Sequence, residues 1–245
     1  AEWLTHIERH VRPSTLKAYK ANCRLHIVPR IGRTKLAKLT VRDIRLMLDD
    51  LRANGAGART VQYVHATLRA ALEHAYREEL VSRNVAKMVR VERPKPAAKE
   101  PLSVDEARKL LTATRDDEDH ALWVVMLMLG LRRSEVCGLR WDNIDLDNRT
   151  LSITHSVQRV DGQLRELPTK TRRSTRTIPL PALARDALAE HRARTLTSRP
   201  SAPAQVYVFG TRYGTPMEPR NLTRKWTKLA EREGIRQVPL HGLRH

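Results

Sequence analysis

At 245 residues and 40% apolar side chains, the chain is long enough for one large domain or two ordinary ones, and apolar enough to fill real cores. Its 46 Lys+Arg against 27 Asp+Glu leave a formal charge of +19, which points to a polyanion, nucleic acid first; a generally arginine-heavy protein is the alternative. Two distant cysteines, Cys23 and Cys137, exclude a disulfide framework and a zinc site, and the longest apolar run, residues 121–131, falls short of the roughly 20 residues of a membrane span. The expectation is a protein of a reducing compartment, the cytoplasm, with no membrane partner. No signal peptide leads the sequence, and a start at Ala1 in place of Met reads as a piece of something longer. The positive surplus is shared: residues 1–95 hold 20 basic and 9 acidic side chains, residues 96–245 hold 26 and 18. Both parts attract phosphate, and binding should weaken steeply with salt as released counterions lose their advantage.

Within residues 1–91 every signal is helical. A helix is predicted to open at Ser14, after Pro13, and to carry Leu16, Tyr19, Cys23 and Ile27 inward. Thr40 with Asp43 three residues on is an acidic variant of the capping box. It opens a helix through Ile44, Leu48 and Leu51 that stops near Asn54-Gly55. A third helix spans about 58–79, with Val61, Val64, Leu68, Leu72 and Ala75 on one side, and residues 82–89 close the bundle. Three prolines and several charges in residues 91–101 suit neither a helix nor a central strand, so residues 92–101 are predicted as a linker.

Residues 102–245 are mixed in character. Ser103-Val104-Asp105-Glu106 is a capping box for a helix through Leu110 and Leu111. A buried helix over about 119–129, a break at Gly130-Leu131 and a helix through Val136 and Leu139 follow. Extended chain then dominates: Ile144 to Leu146, a turn at Asp147-Asn148, Thr150 to Thr154, Val157 to Val160, a hairpin turn at Asp161-Gly162, and Arg176 to Leu180. Helices over about 181–195 and 219–233 flank a short strand at 206–209, and His241 begins a last helix.

Four cationic positions stand out in this second part. They are Arg132 in Gly130-Leu131-Arg132-Arg133-Ser134-Glu135, Lys170 in Pro168-Thr169-Lys170-Thr171, and His241 with Arg244 in His241-Gly242-Leu243-Arg244. Such a set can clamp, protonate and deprotonate a phosphodiester without a metal. Phosphoryl transfer concentrates negative charge on equatorial oxygens, which fixed cations stabilise. Arginine offers a planar fork of donors and stays charged, and histidine exchanges protons near neutral pH. Plainer readings stand beside these: Arg132 as a solvated helix-start residue, His241 as a cap, and Lys170 as one of a DNA-backbone patch with Arg172, Arg173 and Arg176. Arg133 reads as a surface or structural side chain in place of a second clamp, and Glu135 as a structural partner through an ion pair or buried hydrogen bonds. No metal is expected. Asp116-Asp117-Glu118-Asp119 reads as a solvated helix cap, while Asp142, Asp145 and Asp147 lack the glycine and glutamate of a calcium loop. No Walker glycine loop is present, and no cofactor is expected.

Residues 130–145, then Thr169-Lys170-Thr171 with Ser174 to Leu180, then His241 to His245, in this order, resemble the tyrosine recombinase (phage integrase) family. The resemblance covers about 96–245 by motif and 1–90 by character. It implies an α+β protein: an all-helical core-binding domain over 1–91, the linker 92–101, and a mostly helical catalytic domain with a small antiparallel β-sheet over 102–245. It implies Arg132 and Arg244 as clamps on the nonbridging oxygens, Lys170 as proton donor to the 5′ oxygen, and His241 as a general acid–base. The implied partner is double-stranded DNA, held by Ser14, Lys17, Lys20, Arg24, Arg59, Thr60 and Arg69 in the helical domain and by Arg172 and Arg173 near the lysine. A homo-tetramer on paired DNA sites, with accessory DNA-bending proteins, completes the implied assembly.

One departure from the family pattern is plain. The family's nucleophile is a tyrosine beyond the His-x-x-Arg element, yet Tyr19, Tyr63, Tyr76, Tyr207 and Tyr213 all precede His241. Tyr213 reads as structural or DNA-facing. The expectation is a site-specific recombinase that cleaves and rejoins DNA through a 3′-phosphotyrosyl intermediate, with these residues alone binding DNA without cutting it. The alternatives are a type IB topoisomerase-like enzyme, and a non-catalytic DNA-binding protein or truncated regulator occupying a recombination site.

Overall fold

The computed structural model describes residues 2–92, 100–160, 162–168, 175–198 and 206–244, without the side chains of Ser198 and Arg244. Contacts divide the chain into two units, Ala1–Ala97 and Ala98–His245. Residues 93–99, most of the expected linker, lie outside the described residues.

In the first unit, local chemistry sets where the main helices begin and end. Helix α1 covers Glu2–Ile7, α2 Pro13–Asn22, α3 Val28–Ile31, α4 Val41–Ala53 and α5 Ala58–Arg77. Thr40 Oγ1 accepts from the Asp43 N–H at 3.2 Å while the Asp43 carboxylate accepts from the Thr40 N–H at 2.9 Å, so two orphan donors at the start of α4 are satisfied reciprocally. The helix ends at Asn54, and Gly55 takes φ +78°, a left-handed conformation that glycine adopts without steric cost. Asn84 caps the 3-10 turn Val85–Met88 and gives its amide to Arg69 O and Glu73, which moors that turn to α5. Ile44, Leu48, Leu51, Val61, Val64, Leu68 and Leu72 are buried with Val85 and Ala86 in one core. Each such aliphatic side chain, fully buried, stabilises by about 1.5–3 kcal/mol.

Two features differ from the sequence reading. Helix α1 was not foreseen; its Trp3 packs on Tyr19 with ring centroids 5.1 Å apart. The stripe Leu16-Tyr19-Cys23-Ile27 does not run inward throughout: Leu16 and Ile27 are buried, Tyr19 and Cys23 only half-buried. A π-turn at Cys23–Ile27 is the cause, with Val28 N–H donating to Cys23 O five residues back. The wider turn inserts a residue and rotates the stripe. Pro29, which has no N–H and crowds the carbonyl four residues before it, follows directly.

The second unit is built on α6 (Val104–Ala113), α7 (His120–Leu129), α8 (Arg133–Cys137), α9 (Ala182–Ser198) and α10 (Pro219–Arg232). Strands β1 (Ile144–Asp145), β2 (Thr150–Ile153) and β5 (Arg176–Pro179) form an antiparallel sheet in the order β1-β2-β5, while β3 (His155–Val160) and β4 (Gln163–Pro168) pair as a hairpin. Leu151 lies opposite both Ile144 and Ile178, and Val157 opposite Glu166. Ser103 and Glu106 form the expected box at α6. At the β1–β2 turn, Asp145 accepts from the Asn148 N–H and side-chain amide at 2.8 and 2.7 Å. Residues 121–126 of α7 are buried on every side of the helix, so α7 is the centre of the core that also holds Leu110, Val136, Leu151, Leu188, Leu222 and Trp226.

The expected strand at 206–209 is absent. Tyr207 makes only an isolated bridge with Arg140, flanked by Trp141 N–H to Val206 O and Val208 N–H to Leu139 O. Val208 and Phe209 are buried as a plug in the core, which explains their strand-like composition without a ladder. The acidic run before α7 is not merely solvated: Asp119 pairs with Lys225 at 2.5 Å and Asp117 with Arg232 at 3.0 Å, which ties α10 to the α6–α7 turn. Among the described residues, no helix is long and apolar enough to cross a membrane.

Candidate active site

Helix α7 ends because Gly130 takes the left-handed conformation at φ 55°, which turns the chain sharply. Buried Leu131 then anchors the next segment, and Arg132 sits in extended backbone as the N-cap of α8. Arginine has no acceptor to offer a helix N-terminus, so the reciprocal half of this cap is missing. Glu135, one turn on, reaches back and accepts from the Arg132 N–H at 2.9 Å. Its other oxygen accepts from Arg132 Nη1 at 2.7 Å. Arg176, at the start of β5, donates to both oxygens as well, at 3.3 and 3.1 Å. Glu135 is 3% exposed, whereas the Arg132 side chain is 51% exposed. Burial pushes the Glu135 carboxyl up, but the hydrogen bonds from Arg176 and Arg132 outweigh it and leave the group below the ordinary carboxylate value.

Helix α8 is held close to β3. A Cβ on Gly138 would stand 3.2 Å from Ser156 Cα and Val157 N, so only glycine lets the two backbones approach as they do. Beyond α10, Trp226 Nε1 donates to Val238 O at 2.7 Å and fixes the segment that leads into the 3-10 turn Leu240–Arg244. Leu240 and Leu243 are buried and pin that turn to the core, with His241 exposed between them.

These elements enclose a cleft of about 710 Å³. Arg132, Arg133, Arg159, Arg220 and His241 line it over a floor that includes Met126, Leu131, Val157 and Leu240. Glu218 is the one acid on this wall among the described residues, and it is engaged by Arg159, whose Nε lies 2.8 Å away. The Arg159 hydrogen bond holds the Glu218 carboxyl below its ordinary value. Arg133 donates to Thr223 Oγ1 at 2.9 Å. The cleft is thus cationic, with its one acid neutralised, and suits an anion with several oxygens.

Of the four cationic positions singled out in the sequence, Arg132 and His241 open on this one cleft. Lys170, with Arg172 and Arg173, lies outside the described residues, as do the side chain of Arg244 and all of His245. Arg159 and Arg220 were missed; nothing in the surrounding sequence marks either. In the first unit, Ser14, Lys17, Lys20 and Arg24 are exposed on α2 and the π-turn, Arg59 and Arg69 are exposed on α5, and Thr60 is half-buried. Lys20 pairs with Glu8 at 3.4 Å, and Arg59 hydrogen-bonds Gln62 and Tyr63 while lying 4.7 Å over the Tyr63 ring. Tyr213 is exposed and accepts from Arg212. Among the described residues, no group of three or more His, Cys, Asp or Glu side chains is placed to hold a metal ion.

Comparison with known proteins identifies the family and the fold. The model of the phage integrase family matches residues 100–245, and that of the phage integrase N-terminal SAM-like domain matches residues 1–51. An integrase of Saccharopolyspora erythraea is 23% identical, over 99% of this chain and 70% of that protein. A XerC-like tyrosine recombinase of Caldanaerobacter subterraneus subsp. tengcongensis is 25% identical, over 99% of this chain and 68% of its own length. Among solved structures, the Tn1549 transposon integrase in complex with transposon right end DNA superposes with a TM-score of 0.83 at 20% identity, over 99% of this chain and 83% of that one. A lambda integrase dimer bound to a COC′ core site gives 0.67 at 17%, over 99% and 86%. These last two likenesses concern the fold: a helical first unit, then a mostly helical second one with small antiparallel sheets. With a family model matching well over half of its residues and relatives aligned along nearly all of it, the chain belongs to the tyrosine recombinase (phage integrase) family.

Proposed function

We propose that the chain is the DNA-binding and strand-transfer part of a site-specific recombinase. The observation that supports this most is the cationic cleft on which Arg132 and His241, from distant segments of the second unit, both open. In this reading a scissile phosphate of double-stranded DNA sits in the cleft, with Arg132 and Arg244 donating to its nonbridging oxygens. A tyrosine hydroxyl attacks the phosphorus, a phosphotyrosyl bond to the 3′ end forms, and the 5′ oxygen leaves with a proton from Lys170. His241 takes and returns protons around the phosphate, and attack by a 5′ hydroxyl reverses the sequence. Removing such a transition-state donor costs about a hundred- to a thousandfold in rate.

Residues 1–91 act in this proposal as the core-type DNA-binding domain, joined through 92–101 to the catalytic domain 102–245. Ser14, Lys17, Lys20, Arg24, Arg59, Thr60 and Arg69 are its candidates for backbone contacts, joined by Arg172 and Arg173 near Lys170. The five tyrosines of these 245 residues precede His241. A polypeptide of these residues alone is therefore proposed to bind DNA without forming a covalent adduct, and a longer chain to supply the nucleophile. Lambda integrase forms a tetramer on a Holliday junction, and a tetramer on paired sites is the assembly proposed for the complete protein.

The test is a nicked suicide substrate incubated with the full-length protein. The wild type should accumulate a covalent protein–DNA adduct, and Arg132→Ala should lose at least about a hundredfold in adduct rate while binding DNA within a few-fold of wild type. An adduct formed equally fast by Arg132→Ala removes the clamp assignment. Binding without any wild-type adduct makes the protein a DNA-occupying regulator.

A further inference from the structure

Glu135 receives four hydrogen bonds, and a carboxylate has about four acceptor sites, so this one is saturated. Two guanidinium groups share it. The Arg132 side chain is 51% exposed and lines the cleft, whereas that of Arg176 is 28% exposed and engages both carboxylate oxygens through its fork. A buried carboxylate facing Arg132 alone would form a closed pair and cancel its charge. With Arg176 added, the cluster carries one net positive charge, and Arg132 is the member that presents it to the cleft. Among the described residues, Arg132 gives no other hydrogen bond from its guanidinium.

We propose that Arg176 is a positioning residue that takes up the charge of Glu135, so that Arg132 keeps its own for a phosphate oxygen. This rests on the reading of Arg132 as a phosphate clamp. Arg176 is set back from the cleft and touches the reaction through Glu135 and Arg132. The same contact joins the head of β5, just after residues 169–175, to the turn that carries Arg132. A merely structural ion pair would hold β5 against α8 and nothing more, and the two roles separate when the carboxylate is neutralised.

The experiment measures adduct formation on the suicide substrate with full-length protein, alongside DNA affinity and melting temperature for each variant. Arg176→Gln should slow adduct formation about ten- to a hundredfold, with DNA affinity within threefold, because Arg132 is then drawn onto an unshared carboxylate. Adding Glu135→Gln should restore most of the lost rate even though both ion pairs are gone, and Arg176→Lys should fall between. If Arg176→Gln does not fold, the same comparison is made between Arg176→Lys and Arg176→Lys with Glu135→Gln. Unchanged adduct rates in the Arg176 variants overturn the proposal. So does a slow single variant that the Glu135 substitution leaves slow or slows further, since that marks a structural contact. Absence of adduct with the wild type overturns the recombinase reading itself and this proposal with it.

Discussion

Gly138→Ala isolates the close contact between α8 and β3. The φ of Gly138 is −101°, open to any residue, so the substitution introduces no backbone strain of its own. The new methyl would lie 3.2 Å from Ser156 Cα, 3.2 Å from Val157 N and 3.3 Å from Ser156 C. Carbon atoms at rest sit about 3.5–4.0 Å apart, and all three neighbours are backbone, so no side-chain rotation relieves the contact. Either α8 or β3 must shift by a few tenths of an ångström, and overpacking of this kind costs about 1–3 kcal/mol. The reduced freedom of the unfolded chain returns about 0.4–1 kcal/mol. A net loss of about 1–2 kcal/mol lowers the melting temperature of a unit this size by about 2–8 °C. Calorimetry of the second unit's transition measures it, with Gly57→Ala as control: a Cβ there meets nothing within 4 Å at φ −61°. A Gly138→Ala protein that melts at or above the wild-type temperature would show that the α8–β3 approach is looser than these distances.

Glu106 accepts from Arg236 and from the Ser103 N–H; chiefly through Arg236, its carboxyl is lowered from the ordinary 4.5 to about 2. A lowered folded value means that this stabilisation is complete above pH 4.5 and is lost as pH falls toward 2, so Glu106→Gln should flatten the acid limb of the melting profile in that window; superimposable limbs count against it. Trp226→Phe leaves Val238 O without its donor, a loss of about 1–3 kcal/mol, and the smaller ring also leaves part of the buried indole's place unfilled, so the total read by denaturant unfolding is at least that large. No change in the unfolding midpoint would mean that the carbonyl finds another partner. Burial pushes the Cys137 thiol up to about 12, while Cys23 is half-buried with a smaller upward displacement. Brief alkylation of the native protein at pH 8 should therefore label Cys23 first by peptide mass mapping, and early labelling of Cys137 would contradict its burial.

What the sequence made legible was local. The boxes at Thr40 and Ser103 need only four consecutive residues each, and both helices start where those residues say. The Gly130 break and the β3–β4 hairpin are likewise written in a few neighbouring residues. Contacts between distant segments were not readable. Asp117 and Asp119 looked like solvent-facing cap residues because their partners, Arg232 and Lys225, lie more than a hundred residues on. Val206 to Phe209 has a strand's composition, but burial as a plug selects the same side chains. The π-turn at Cys23–Ile27 adds a residue to one turn of backbone, which the apolar spacing does not display. Arg132 and His241 were marked by their motifs, whereas Arg159 and Arg220 reach the cleft through strand and helix placement alone. Arg176 was visible only as one more basic residue near Lys170.

Glu135 draws its donors from Arg132, three residues before it, and from Arg176, 41 residues after it. The carboxylate is therefore shared only once β5 has docked against the turn that carries Arg132. For an enzyme of the proposed kind, nicking competence then depends on the completed second unit, and not on the Arg132 segment alone.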